Sequence, residues 1–245
     1  MFKLLNNPIM ASLDYLKLLE LDPRHLELPV LRQYIYSQSV MFKNKASAAF
    51  LKKQYPAAVH FLNQAIELNK GDWKNILMRG IIMSETGDYD SALEDLLNVR
   101  ANSLRESAAE KQINQYLAHV FNRLGMMQFE LKAYPEVIKK LDQAVYFSPN
   151  DTIILKNRAE TYFLLGEYGP AMHDLTAVLS MAPQDADAKF RLSVIYNIIG
   201  KDCIAHAEYA KAVDYYTKAI ALEPLNLDLL YERARSNFFQ QVLFS

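Results

Sequence analysis

Cysteine and histidine are the residues here that could ligate a metal ion. Cys203 and His206 stand three residues apart, so on a helix they would share one face. A structural zinc site needs four such ligands. The chain has one cysteine and five scattered histidines, and none of these residues forms a second pair. We therefore interpret Cys203 and His206 as part of an ordinary helix surface and predict no metal site.

The sequence lacks the short motifs that mark catalysis or nucleotide binding. It contains no G-x-x-x-x-G-K-[ST], no G-x-G-x-x-G, no H-E-x-x-H and no G-x-S-x-G. Adjacent acids such as Glu94 and Asp95 are typical of a solvated helix face. We therefore predict a protein without catalytic residues and without a cofactor, which is not an enzyme.

The composition indicates a helix-rich globular protein. Hydrophobic residues make up 51% of the 245 residues, only seven are glycine, and the formal net charge is −1. A nearly neutral chain is not typical of a nucleic-acid or anionic-membrane binder. A single cysteine favours a reducing compartment, and no apolar run is long enough to span a bilayer. We expect a soluble, cytoplasmic protein with neither nucleic-acid nor membrane partners.

One helical pattern recurs along the chain. The stretch "AEYAKAVDYYTKAIALEP" at 207–224 carries a stripe of small and large apolar residues and ends in proline. "AYPEVIKKLDQAVYFSP" and "EYGPAMHDLTAVLSMAP" repeat its spacing, and 34 residues separate Pro149 from Pro183. Before each stripe, the sequence indicates another apolar helix, which is the first helix of the unit. A turn that often contains glycine joins the two helices. A fixed period of this kind predicts stacked helix pairs.

The residue types explain how such a pair packs. Alanine and glycine at the crossing point allow two helices to approach closely, and bulky residues fill the grooves on either side. Proline then ends the second helix, because it cannot continue the hydrogen-bond ladder. The interval from Pro183 to Pro224 is 41 residues, seven more than the regular 34. Seven residues correspond to about two helical turns, or roughly 10 Å of additional helix.

These motifs resemble the tetratricopeptide repeat family. The L-G…A…F/Y…A…P positions of that family appear here as Leu124–Gly125, Val137, Leu141, Ala144 and Pro149, with valine in place of the first alanine. The resemblance covers most of the chain and implies an all-α fold, a right-handed α-solenoid of antiparallel helix pairs with several lengthened helices. It also implies binding to other proteins rather than catalysis.

The repeat pattern divides the chain into one array. We predict five repeats between two partial ones, with the second helix alone at about 1–24 and the first helix alone at 227–245. The repeats between them are 25–70, 73–106, 107–149, 152–183 and 186–224. Each end then leaves an apolar face to be covered. We expect it to be covered by partner proteins or by a further part of the array, with atypical capping helices as the alternative.

In the tetratricopeptide family, the first helix of each repeat lines a concave groove. The resemblance therefore implies groove residues at fixed positions, and it favours an extended peptide or a partner helix as the ligand. The residues that we select are Lys43, Phe50, Leu77, Asn122, Met126, Phe129, Lys156, Phe163, Phe190 and Arg191. The same positions include Ile153, Glu160 and Asp187. Phe129, Phe163 and Phe190 would form an aromatic row, and the alternative is that these rings pack between adjacent repeats.

Some family members grip the C-terminal carboxylate of a chaperone with lysine, asparagine and arginine side chains. In the best register, this chain offers Asn122, Met126, Asn157, Asp187 and Arg191. Only Asn157 and Arg191 match, and the carboxylate of Asp187 would repel the ligand. We therefore do not expect a chaperone adaptor of this kind.

The order of stretched and regular units is similar to that of a member of the family associated with ciliated and flagellated cells. The resemblance implies a scaffold of the cilium or flagellum, bound to axonemal or microtubule-associated proteins, with tubulin among the candidate partners. The alternative is a soluble cytosolic adaptor that binds a peptide or helix in its groove.

Overall fold

The computed structural model describes residues 7–102 and 107–244, and this part of the chain forms helices without strands. Those parts of the predicted units that fall on residues 1–6, 103–106 and 245 lie outside it. The helices are α1 Pro8–Leu21, α2 Leu28–Leu51, α3 Tyr55–Leu68, α4 Trp73–Thr86, α5 Tyr89–Asn102, α6 Ser107–Glu130, α7 Tyr134–Phe147, α8 Thr152–Leu164, α9 Tyr168–Met181, α10 Ala186–Ala205, α11 Tyr209–Leu222 and α12 Leu227–Phe244.

The chain divides into two compact units, Met1–Val120 and Phe121–Ser245. In the first unit, α2 packs against α3 and α4 against α5, while α1 contacts both α2 and α3. In the second unit, α8 packs against α9 and α10 against α11, and each pair also contacts the next helix along the chain. This packing confirms the predicted all-α fold of antiparallel helix pairs.

Some first helices are longer than the others, as the insertions predict. α2 and α6 have 24 residues each and α10 has 20, whereas α4 and α8 have 14 and 13. α10 is therefore about two turns longer than α8, and its extension ends in the stretch "KDCIAHAE". The lengthened helices of the sequence analysis are confirmed.

The turn inside each helix pair has one geometry. In all five pairs, one turn residue adopts a positive φ, and the next residue donates its N–H to a carbonyl five positions back. Among residues 7–102 and 107–244, the turn residues with positive φ are Lys53, Gly87, Lys132, Gly166 and Ala207. The N···O distances of the corresponding hydrogen bonds are 2.8–3.2 Å. This arrangement closes a helix with a left-handed residue, a position that favours glycine. Only two turns have glycine there, so the helix packing imposes the conformation on the other three.

The helices of a pair cross where a small residue of the first helix meets a large residue 16 positions later in the second. All members of this set are buried. The pairs are Ala46 with Leu62, Gly80 with Leu96, Gly125 with Leu141, Ala159 with Leu175, and Gly200 with Tyr216. The last pair differs because an aromatic ring replaces leucine. A Cβ atom at Gly200 would lie 2.8 Å from Cζ of Tyr216 and 3.0 Å from its Cε1.

Two arginines join three successive helices by the same geometry. Arg158 of α8 donates to both carboxylate oxygens of Asp174 on α9 at 2.8 Å, and its Nη1 donates to Asp142 of α7 at 2.8 Å. In the first unit, Arg79 of α4 likewise donates twice to Asp95 of α5 at 2.7 Å, and once to Asn63 of α3. Because Asp174 and Asp95 are buried, each arginine supplies the charge that their burial requires. The solvated helix face expected for Asp95 is therefore wrong, because its carboxylate is buried in the contact with Arg79.

We predict that Gly200→Ala lowers the free energy of unfolding by about 2 kcal/mol, because the new methyl group overlaps the fixed ring of Tyr216. In the Tyr216→Leu background, Gly200→Ala should lower the free energy of unfolding only slightly. The crossing of the preceding pair already combines an alanine, Ala159, with a leucine, Leu175. Urea unfolding of the two single variants and the double variant measures this coupling. Gly169→Ala is the control, because its Cβ would meet no atom within 4 Å. Equal costs in both backgrounds would contradict the crossing model.

We predict that Arg158→Met destabilises the fold by about 3 kcal/mol, because it leaves the carboxylate of Asp174 buried without its cation. Lys139→Met is the matched control. Lys139 pairs with Glu136 at 3.5 Å, but both side chains are exposed, so its loss should cost less than about 1 kcal/mol. Thermal unfolding at neutral pH measures both changes. Similar losses for the two variants would show that Arg158 carries no special structural role.

Candidate protein-binding site

A cavity of about 330 Å³ lies between α8 and α10 in the second unit. We call it the α8–α10 pocket. Its lining residues are Ile153, Lys156, Asn157, Ala159, Glu160, Phe163, Leu175, Asp187, Arg191 and Ile195. Of the selected groove residues, the structure thus brings together Lys156, Phe163 and Arg191, with Ile153, Glu160 and Asp187 from the same predicted positions.

The floor of the pocket is apolar. Ala159, Leu175 and Ile195 are almost completely buried beneath it. Phe163 is half-buried at one side, and Ile153 at the mouth is 63% exposed. Ala159 is the small residue at the crossing with Leu175. Its short side chain fills little of the cavity, and the floor is therefore deep. The geometry suits an apolar side chain that enters from a partner protein.

The rim of the pocket carries two cations and two anions that pair across the gap between the helices. Lys156 Nζ lies 3.5 Å from Asp187 Oδ2, and Arg191 Nη1 lies 2.7 Å from Glu160 Oε2. Lys156 also donates to Asp185 at 3.0 Å. The rim therefore has no net charge, and both cations are already bound to residues of the neighbouring helix.

Asp185 links the pocket to the start of α10. Its Oδ1 accepts the N–H of Ala188 at 2.9 Å, which caps the first turn of the helix. The hydrogen bond from Ala188, together with the one from Lys156, lowers the pKa of Asp185. In turn, the hydrogen bond to Asp185 raises the pKa of Lys156. The first unit has a similar contact, because Lys43 lies 4.0 Å from Asp72, the capping residue of α4.

Asn157 ties α8 to α6. Its Nδ2 donates to Oδ1 of Asn122 at 2.8 Å, so the two amides that align with the clamp register bind each other. Arg191 is held by Glu160, and Asp187 adds a negative charge beside it. A peptide carboxylate would have to break these contacts and approach an anion. The arrangement therefore does not offer the free cationic clamp of the chaperone adaptors.

The predicted aromatic row is not one continuous surface. The rings of Phe129 and Phe163 are half-buried, and each packs on the first tyrosine of the helix that follows, with centroids 5.6 and 6.0 Å apart. Phe50 packs on Tyr55 in the same way in the first unit, at 5.9 Å. Phe190 is 51% exposed and does not line the pocket.

The remaining predicted groove residues lie elsewhere. Leu77 and Met126 are half-buried on α4 and α6, and neither lines the α8–α10 pocket. The sequence analysis missed the floor residues Leu175 and Ile195. Leu175 belongs to a second helix and therefore falls outside a template of first-helix positions. The 16-residue spacing from Ala159 to Leu175 is the signal that could have identified it.

Within residues 7–102 and 107–244, no group of three or more histidine, cysteine, aspartate and glutamate side chains is placed to hold a metal ion. The helix surface expected for Cys203 is wrong, because this residue is buried in the core. Its burial raises the pKa of the thiol. His206 is exposed and lies 3.6 Å from Asp202. In the same part of the chain, no helix is both long and apolar enough to cross a bilayer.

The chain is similar along its whole length to tetratricopeptide repeat protein 16. It is 25% identical to the protein from Macaca fascicularis and 24% identical to that from Homo sapiens, over 246 aligned residues in each case. The alignment covers all of this chain and 28% of each relative, so the chain spans little more than a quarter of their length. No family model matches the chain.

Another relative is the BBSome complex member BBS4 of Bos taurus, which is 26% identical over 81% of this chain and 34% of the relative. Among solved structures, the MamA protein aligns with a TM-score of 0.48 and 16% identity, over 78% of this chain and 94% of MamA. The similarity to tetratricopeptide repeat protein 16 confirms the resemblance to the tetratricopeptide family that the sequence motifs indicated.

We predict that Asp185→Asn lowers the melting temperature at neutral pH, while asparagine can still cap α10. Because folding lowers the pKa of Asp185, its charge stabilises the fold above the unfolded-state pKa near 4. That contribution is lost as the pH falls through the lower pKa of the folded state. The difference in melting temperature between wild type and variant should therefore shrink below about pH 4. A difference that stays constant from pH 7 to pH 2 would contradict the charge contribution.

Proposed function

We propose that the chain is a tetratricopeptide repeat protein and a non-catalytic scaffold that binds other proteins. The single observation that carries this proposal is the α8–α10 pocket. Positions selected on two successive first helices meet there over an apolar floor. A protein ligand can supply both an apolar side chain for the floor and polar groups for the rim.

The charges of the pocket define the class of ligand that fits it. The rim has as many anions as cations, and each cation is within 3.8 Å of a carboxylate oxygen. Long-range attraction to a highly charged segment is therefore weak. We propose that the pocket takes an uncharged peptide segment or helix face with an aliphatic or aromatic anchor, and that its affinity changes little with salt.

We further propose that the protein acts in the cilium or flagellum, as a component associated with the axoneme and its microtubules. The support for this proposal is the similarity to tetratricopeptide repeat protein 16 over the whole of this chain. The order of stretched and regular units adds support, because it resembles that of a family member associated with ciliated and flagellated cells. The BBS4 relative is named as a member of a protein complex, which is consistent with a role in an assembly.

The second candidate function is a soluble cytosolic adaptor that captures a peptide or helix. The α8–α10 pocket favours this function as much as it favours a scaffold, because one occupied pocket would suffice for an adaptor. Cell location separates the two. A tagged chain in flagellated cells should follow the axoneme under the first proposal and spread through the cell body under the second.

We predict that Ile153→Asp reduces capture of the protein's partners about tenfold, because it places a charge at the apolar mouth of the pocket. Wild-type chain and variant are immobilised and exposed to axonemal extract, and bound proteins are quantified by mass spectrometry. Leu225→Asp is the matched control. Leu225 is 92% exposed, lies between α11 and α12, and does not line the pocket.

Both substitutions change exposed side chains, so both variants should unfold at nearly the same temperature as the wild type. An identical set of proteins bound to all three chains would refute the pocket as the binding site. Co-sedimentation with purified microtubules tests tubulin separately. A wild-type chain that stays in the supernatant would remove tubulin from the candidate partners.

A further inference from the structure

Helix α1 presents an apolar stripe that no other described helix covers. Ala11 and Ser12 are buried against the neighbouring helices α2 and α3. On the opposite side, Met10 is 48% exposed, Leu13 53% and Leu21 74%. Spacings of 3 and 11 residues from Met10 place all three on one helix face. Exposed apolar side chains grouped in this way mark an interaction surface.

Two opposite charges lie in the middle of the same stripe. Asp14 and Lys17 are four and seven residues after Met10, and both are exposed. Neither has an ion-pair partner among the residues that the structure describes. The stripe therefore reads apolar, apolar, negative, positive, apolar along Met10, Leu13, Asp14, Lys17 and Leu21. When a second copy of the stripe runs in the opposite direction, apolar residues can face apolar residues and each charge can face the opposite charge.

We propose that a second copy of this chain packs on α1, with the two α1 helices antiparallel about a two-fold axis. An axis between Tyr15 and Leu16 places Asp14 of each copy opposite Lys17 of the other. It also places Met10 opposite Leu21 at both ends of the contact. Every member of the stripe except Leu13 thus faces a complementary member, and Leu13 packs beside the aliphatic stem of Lys17.

Charge selects this register over its neighbours. Moving one helix by three residues would place Lys17 opposite Lys17 of the other copy, or Asp14 opposite Asp14. Either arrangement brings like charges together at the centre of the contact, which is unfavourable. A partner other than a second copy would need matching charges by coincidence, whereas an identical chain provides them in the antiparallel register about this axis.

The size of the stripe sets the strength of the contact. α1 has 14 residues and is therefore about 21 Å long. A single helix of this length buries less area than a standard stable interface. We therefore expect a reversible dimer with a dissociation constant of roughly 10 µM, formed and lost within the concentration range of solution experiments.

Sedimentation equilibrium of the whole chain tests the dimer. The wild type should shift from monomer to dimer between about 1 and 100 µM. Asp14→Lys and Lys17→Asp should each weaken dimerisation at least about tenfold, because each places like charges opposite one another. The double variant Asp14→Lys/Lys17→Asp restores opposite charges and should dimerise like the wild type. An equimolar mixture of the two single variants should form the mixed dimer, since one copy then offers two lysines and the other two aspartates.

Lys111→Asp is the control, because this exposed lysine on α6 lies outside the stripe and should leave dimerisation unchanged. Circular dichroism and melting temperature confirm that each variant is folded. A wild type that remains monomeric at about 100 µM would overturn the proposal. A dimer that the single variants do not weaken would place the contact on another surface. Failure of the double variant to recover would refute the antiparallel register.

Discussion

The close crossing of two helices is the constraint on which the rest of this structure depends. A first helix can approach its partner only where alanine or glycine removes the side chain between them, and the residue 16 positions later then fills the space beside it. The turn geometry follows from this approach. Three turns adopt a left-handed residue without having glycine, because the two packed helices leave the chain no other short path.

Much of the charge in this molecule serves its architecture. Arg79 and Arg158 each join three helices, and Lys43 and Lys156 each reach the capping aspartate of the following first helix. Charges held in this way are unavailable to a ligand unless it displaces their partners. The α8–α10 pocket is consequently an apolar site surrounded by ion pairs between neighbouring helices.

The first-helix template predicted part of the candidate site and missed part of it. It selected Lys156 and Phe163 of α8 and Arg191 of α10, which line one pocket. It did not anticipate the floor, because Leu175 and Ile195 are core residues whose edges reach the cavity. It also grouped Phe190 with Phe129 and Phe163, although the last two pack on the tyrosine that begins the following helix. The corresponding tyrosine of α11, Tyr209, stacks on Phe239 instead, and Phe190 is 51% exposed. The position of a residue on its helix determines the direction of its side chain, whereas the residues of the neighbouring helices determine whether that side chain is covered.

The sequence by itself determined the helical class, the pairing of helices, the resemblance to the tetratricopeptide family and the lengthening of α10. Each of these follows from local periodicity and from the spacing of small residues and prolines, which are read without knowing any distant contact. Only the tertiary structure decided which cations are already paired with a carboxylate. Arg191 and Glu160 are 31 residues apart in the chain, and their ion pair depends on how α8 and α10 are placed. It also decided which apolar faces stay exposed, since the solvent accessibility of α1 depends on the helices that pack around it rather than on its own pattern.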